Sequence, residues 1–130
     1  MSRSVAEVAE RWLPAFLAGE RADAELYAPE VLVWHNIGER TEPLAAPPSH
    51  ARAKAVLPDL HHEDVRLRVG EDHFVFQVTA VATGADGTPV RVPTCLVVTV
   101  ENGQITRFDE YADSAAAAAV AAALGLSPDL

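Results

Sequence analysis

Glu110, Asn36 and His35 are the residues whose types and spacing suit acid–base chemistry. Glu110 lies in ITRFDEYAD (105–113), between Phe108 and Tyr111. A carboxylate withdrawn from water holds its proton more tightly, which makes it a competent general base or acid near neutral pH. His35 and Asn36 close VLVWHN (31–36), where strand-forming side chains give way to an aromatic, an imidazole and an amide. An imidazole titrates near neutrality without help, and an amide can orient a water or a substrate oxygen. Adjacent residues on a regular strand point to opposite faces, so His35 and Asn36 cannot both enter one cavity. Keeping Leu32, Trp34 and Asn36 in phase turns Trp34 and Asn36 inward with Glu110 and sends His35 to the other face. The opposite phase brings His35 inward as the base. The first phase is the one expected.

Large aromatics most often wall a core or cavity, which is the role expected of Trp12 and Trp34. Tyr27 can offer a hydroxyl to the same space. Phe76, Val78 and Ala80 alternate along one strand and would make an apolar wall. His61-His62-Glu63-Asp64 suggests a metal, but adjacent residues diverge on a strand and no further ligand sits at a recognised spacing, so no metal site is expected. Cys95 has no basic neighbour and reads as a small hydrophobe. No glycine-rich phosphate loop or nucleotide fingerprint is present, and no cofactor is expected.

Composition narrows the partners. At 130 residues and 49% hydrophobic content the chain is expected to form one domain over 1–130 with a real core. A net charge of -9 opposes binding to nucleic acid or to an anionic membrane surface. A single cysteine excludes an internal disulfide and suits a reducing compartment. No apolar run has the ~20 residues of a membrane span, and the charged start MSRSVAEVAERW is unlike a signal peptide. A cytoplasmic protein is expected.

The elements that must position these groups follow from periodicity. Ser4-Val5-Ala6-Glu7 is a capping box. It opens a helix with Val5, Val8, Trp12, Leu13 and Phe16 on one face, Pro14 as a kink and Gly19 as its stop. A short helix is expected near Arg21–Tyr27, then the strand VLVWHN, then a proline-broken loop over 38–48. A third helix is expected over His50–Leu57. Strands are expected at His62–Val69, His73–Thr83, Val90–Val100 and Gln104–Tyr111, joined by tight turns. An alanine-rich helix capped by Asp113 or Ser114 ends the chain. Helices early and hairpins late mean α+β.

This order resembles the SnoaL-like branch of the nuclear transport factor 2 superfamily, which includes polyketide cyclases, limonene epoxide hydrolase and ketosteroid isomerase. The stretches LYAPEVLVWHN (26–36) and ENGQITRFDEYAD (101–113) carry the resemblance, which spans about residues 5 to 124. It implies a cone-shaped fold, in which a curved antiparallel sheet carries helices over its concave face, often as a homodimer. The epoxide hydrolase's Tyr, Asn and Asp fall at Trp34, Asn36 and Glu110, and its Arg–Asp pair at Val78 and Ala80. The cyclases' general base also falls at Glu110, and their supporting His at Leu96, which joins the expected wall. The isomerase's base falls at His35.

Two functions fit these residues. One is cofactor-free acid–base chemistry, of isomerase or polyketide-cyclase type, on a small hydrophobic oxygenated molecule, with epoxide opening less favoured because the Arg–Asp pair is missing. The other is a ligand-binding or dimerisation module without turnover. A homodimer packed through the sheet's outer face is expected, since Val75, Val81, Val97 and Cys95 make that face apolar too.

Overall fold

Strand order in the sheet fixes where every candidate residue lies. The computed structural model describes residues 3–44, 55, 57–84 and 86–123. Helix α1 (Val5–Leu17) leads to a 3-10 turn (Ala24–Leu26) and to strand β1 (Tyr27–His35). A second 3-10 turn (Ile37–Glu39) precedes β2 (Arg40–Pro43). Strands β3 (His61–Val69), β4 (His73–Thr83), β5 (Pro89–Glu101) and β6 (Gln104–Ala112) form a meander, and α2 (Ser114–Ala123) follows. All six strands share one sheet in the order β2-β1-β6-β5-β4-β3. The sheet is curved and unclosed, and the α+β class is as expected. One junction differs from a purely antiparallel sheet: β1 runs parallel to β6.

Local chemistry explains the elements. The Ser4 hydroxyl accepts the Glu7 N–H at 3.1 Å and starts α1. The helix runs on through Pro14, whose carbonyl accepts the Ala18 N–H at 3.1 Å. Gly19, at φ 72, ends it in a conformation other residues resist. Asn102 and Gly103, at φ 52 and 73, form the two-residue hairpin between β5 and β6. The Asp113 carboxylate accepts the Ala116 N–H at 3.0 Å and caps α2.

Three expectations for the first half need correction. The helix near Arg21–Tyr27 is only the turn Ala24–Leu26, because Pro29 disfavours helical backbone just before it and Tyr27 is already extended. The loop over 38–48 contains β2, created when Gly38 and Glu39, at φ 76 and 46, reverse the chain against β1. Strand β1 begins four residues before Val31 and stops short of Asn36, which has helical backbone angles. Of the expected helix His50–Leu57, only Ala55 and Leu57 lie among the described residues.

The core forms where α1 crosses the sheet. Trp12 places its ring 5.5 Å from Phe74 and from Phe76, and 5.8 Å from Phe108. Phe74, Phe76, Leu96, Val98, Ile105 and Phe108 are buried with it. A bulge between Thr99 and Val100 of β5 and their β6 partners lets Ile105 and Phe108, three residues apart, face the same side. On α2, Val120 packs with Leu57, Leu60, Ala80, Ala82 and Val90, so both helices cover one face.

Candidate functional site

The parity of β1 is the reverse of the expected one. Register sets Val33 beside Phe108 and His35 beside Glu110. Phe108 is buried against Trp12, so Val31, Val33 and His35 face the helices together with Glu110. Leu32 is 44% exposed on the outer face, and Trp34 stacks there on Tyr111 at 5.1 Å. Trp34 is therefore not a wall of the site. The error has a physical source. Val31 and Val33 compete with Leu32 and Trp34 for the core, and packing selected the β-branched pair.

Three side chains meet on the helix-covered face. His35 Nδ1 lies 2.9 Å from Glu110 Oε1, and His35 Nε2 lies 2.9 Å from Glu42 Oε1. Glu42 reaches the imidazole from β2, where it pairs with Val33 and so shares the face of His35. Side-chain exposure rises from 22% for His35 to 34% for Glu110 and 46% for Glu42. The imidazole is thus the enclosed member and the carboxylates form its outer rim. Two such contacts require two shared protons, since a lone pair facing a carboxylate would repel it. Either the imidazole is doubly protonated, or it is neutral and one carboxyl carries a proton. The hydrogen bond to Glu110 raises the His35 pKa above its ordinary value, opposed by desolvation and aided by the charges of Glu110 and Glu42.

Asn36 does a different job. Its amide N–H donates to the Ala112 carbonyl at 3.0 Å, and its amide oxygen accepts the Ala112 N–H at 3.0 Å. Its own backbone N–H donates to the Glu110 carbonyl at 3.0 Å. The side chain thus continues the β1–β6 ladder past the point where the β1 backbone turns away. It holds the end of β6, with Glu110, against β1, and both ends of its amide are occupied in doing so.

The expected wall is partly assembled. Leu96 is the cross-strand neighbour of Glu110 and Phe76 that of Leu96, so both share its face. Val78 and Ala80 follow Phe76 on the same face of β4. Trp12, Phe76, Val78 and Leu96 are all buried, so they form the floor beneath the site. Tyr27 lies eight residues from His35, roughly 25 Å at ~3.3 Å per strand residue. It packs on the core beneath the Arg21 guanidinium, 5.5 Å above its ring. Burial pushes its hydroxyl pKa up. His62 stacks on Phe16 at 5.5 Å, and among the described residues no group of side chains is arranged to hold a metal ion. Also among the described residues, no helix is long and apolar enough to cross a membrane. Glu42 went unnoticed in the sequence because it lies in a stretch read as loop. The only signal was Gly38, a turn residue placed to fold the chain back onto the strand.

The curved α+β sheet with helices over one face has the nuclear transport factor 2-like fold. Its sequence matches the SnoaL-like domain over residues 9–108, and the chain belongs to that family. No curated protein matches it significantly. Among solved structures it is similar to a candidate SnoaL-like polyketide cyclase from Jannaschia sp. CCS1, at 18% identity and TM-score 0.65, covering 94% of this chain and 98% of that one. IdmH, a candidate polyketide cyclase from Streptomyces antibioticus, aligns at 18% identity and TM-score 0.63, covering 95% and 100%. A Catenulispora acidiphila protein with a ketosteroid isomerase-like fold, in complex with trimethylamine, aligns at 18% identity and TM-score 0.61, covering 98% of each chain.

Proposed function

We propose that this protein is a small-molecule enzyme that moves protons without a cofactor, acting as an isomerase or polyketide-cyclase type catalyst on a hydrophobic oxygenated substrate. The observation that carries this reading is the His35 imidazole held between the carboxylates of Glu110 and Glu42. Glu110 is the catalytic base. Its Oε1 is engaged by His35, and the one-third exposure of the side chain leaves the carboxylate accessible. Oε2 removes a proton from carbon next to a carbonyl, and the electron pair of that C–H bond moves onto the carbonyl oxygen as an enolate. In an isomerisation, Glu110 returns the proton to another carbon. In a cyclisation, the enolate carbon attacks a second carbonyl and the resulting alkoxide takes the proton from Glu110. His35 is a positioning residue, since both its nitrogens are occupied, and Glu42 fixes its ring and charge. Asn36 serves the site through the backbone rather than through substrate.

The competing reading, a binding module without turnover, is favoured by the same enclosure of His35, because an imidazole with both nitrogens satisfied also serves as a structural clasp. Deuterium incorporation separates the two. Wild-type protein incubated in D2O with 2-tetralone, an apolar enolisable ketone, should exchange its α-protons faster than buffer does. Glu110→Gln should lose about 10²–10⁴-fold of that rate, the usual contribution of a general base. Equal rates for wild type, Glu110→Gln and buffer would leave the binding module as the function.

A further inference from the structure

Beside this cluster stands a cation that the proposed proton transfer does not use. Arg40 is the cross-strand partner of His35, and alternation along β2 sets Arg40 and Glu42 on the same face. Its stem lies against the turn at Gly38, where an added Cβ would stand 3.4 Å from Arg40 Nε. That Nε is buried and has no hydrogen-bond partner. Among the described residues no carboxylate lies within ion-pair reach of Arg40, although Glu42 is only two positions away. Glu42 gives its Oε1 to His35 instead. The cluster thus engages the acid that shares the Arg40 face of β2, and among the described residues the guanidinium has no ion-pair partner.

A guanidinium keeps its charge at any physiological pH and offers a planar fork of donors that matches a two-oxygen anion. Nε is sealed against the Gly38 turn and out of a ligand's reach, so the donors open to an anion are the two terminal nitrogens, which pair with no carboxylate among the described residues. We infer that Arg40 binds a carboxylate of the substrate, so that the molecules taken by this site are hydrophobic carboxylic acids. This rests on the reading of His35, Glu42 and Glu110 as the site, but not on turnover there. A carboxylate on Arg40 is also tolerated electrostatically. A protonated His35 offsets one of the two cluster carboxylates, and Arg40 itself offsets the incoming charge.

Binding of 2-naphthoate and of its neutral analogue 2-naphthamide, measured by calorimetry at neutral pH, tests the inference. Wild-type protein should bind the acid roughly tenfold or more tighter than the amide, as expected for a charge-assisted pair. Arg40→Gln should bring the two affinities together by weakening the acid alone, and Arg40→Lys should fall between, keeping the charge but losing the fork. Equal affinities in wild type, including no binding of either up to the solubility limit, would overturn the inference without reliance on any variant. Selectivity retained by a folded Arg40→Gln would overturn it as well. Glu110→Gln distinguishes this from the proposed function. It removes the base and leaves Arg40, so acid selectivity should persist while α-proton exchange is lost. Selective binding with no exchange in wild type would sink the enzymatic reading alone.

Discussion

His35 and Glu110 face each other across the parallel β1–β6 junction, with Nδ1 and Oε1 2.9 Å apart. That junction joins an early strand to the last strand of the meander, so the contact ties two distant segments together at the candidate site. Its partner contact to Glu42 adds the sheet's edge strand to the same cluster.

The first prediction concerns pH. The Glu110 hydrogen bond is the largest cause of the raised His35 pKa, with Glu42 contributing less. Imidazole NMR titration should place His35 above the ordinary value of ~6.5. Glu110→Gln should lower it more than Glu42→Gln does. Because the folded pKa is raised, the stabilisation is fully present below ~6.5 and is lost as pH rises through the folded value. Denaturation midpoints of wild type and His35→Gln should therefore differ most at mildly acid pH and converge on the alkaline side. A gap that widens with rising pH would contradict the assignment.

Asn36 supplies the second prediction. Asn36→Ala removes both amide hydrogen bonds and leaves the Ala112 N–H and carbonyl without them. Urea denaturation should show a loss of about 1–2 kcal/mol. Any exchange activity should fall by less than in Glu110→Gln, since Asn36 only anchors the end of β6. A loss of activity equal to that of Glu110→Gln with unchanged stability would restore Asn36 as a group that touches substrate.

These two residues also mark how far the sequence could be read. The meander was legible to within a residue or two, because its strands are rich in β-formers and its turns contain Gly or Asn. Glu110 was legible as an inward carboxylate from its place between Phe108 and Tyr111. The phase of β1 was not, since Val31, Leu32, Val33 and Trp34 are apolar on both faces and only three-dimensional packing decides between them. Extending that alternation to Asn36 failed because the strand ends at His35 and the amide then imitates backbone. Arg40 and Glu42 were hidden in a four-residue strand without an apolar pattern, formed only because the turn at Gly38 lays it on β1.

That turn yields the third prediction. Gly38 sits at φ 76, where a side chain is strained whatever space is open, and Arg40 packs against it. Gly38→Ala should cost roughly 1–2 kcal/mol of stability. It should also disturb the cluster, because β2 delivers Glu42. The His35 pKa should fall toward that of Glu42→Gln, read from the same NMR titration. A stable variant with an unchanged His35 titration would show that β2 is held by its ladder to β1 and not by the turn.

The fourth prediction is association. The face of the sheet opposite the helices carries Leu32 and Tyr111 at 44% and 49% exposure, with Trp34 stacked against Tyr111. Val75, Val97 and Cys95 lie on the same side, each an outward neighbour of buried core residues. Both helices pack on the other face, so this surface has no cover from them. An apolar patch of that kind on a single chain is a common mark of self-association, and a two-fold dimer is the simplest closed way to bury it. Light scattering should give twice the chain mass of 13.9 kDa at micromolar concentration. Leu32→Arg combined with Tyr111→Arg should shift it to the monomer mass. Neither residue touches the His35 cluster, so the His35 titration of the double variant should stay as in wild type. A wild-type protein that is monomeric throughout the micromolar range would refute the dimer. A dimer that survives both charges would place the interface elsewhere on the molecule.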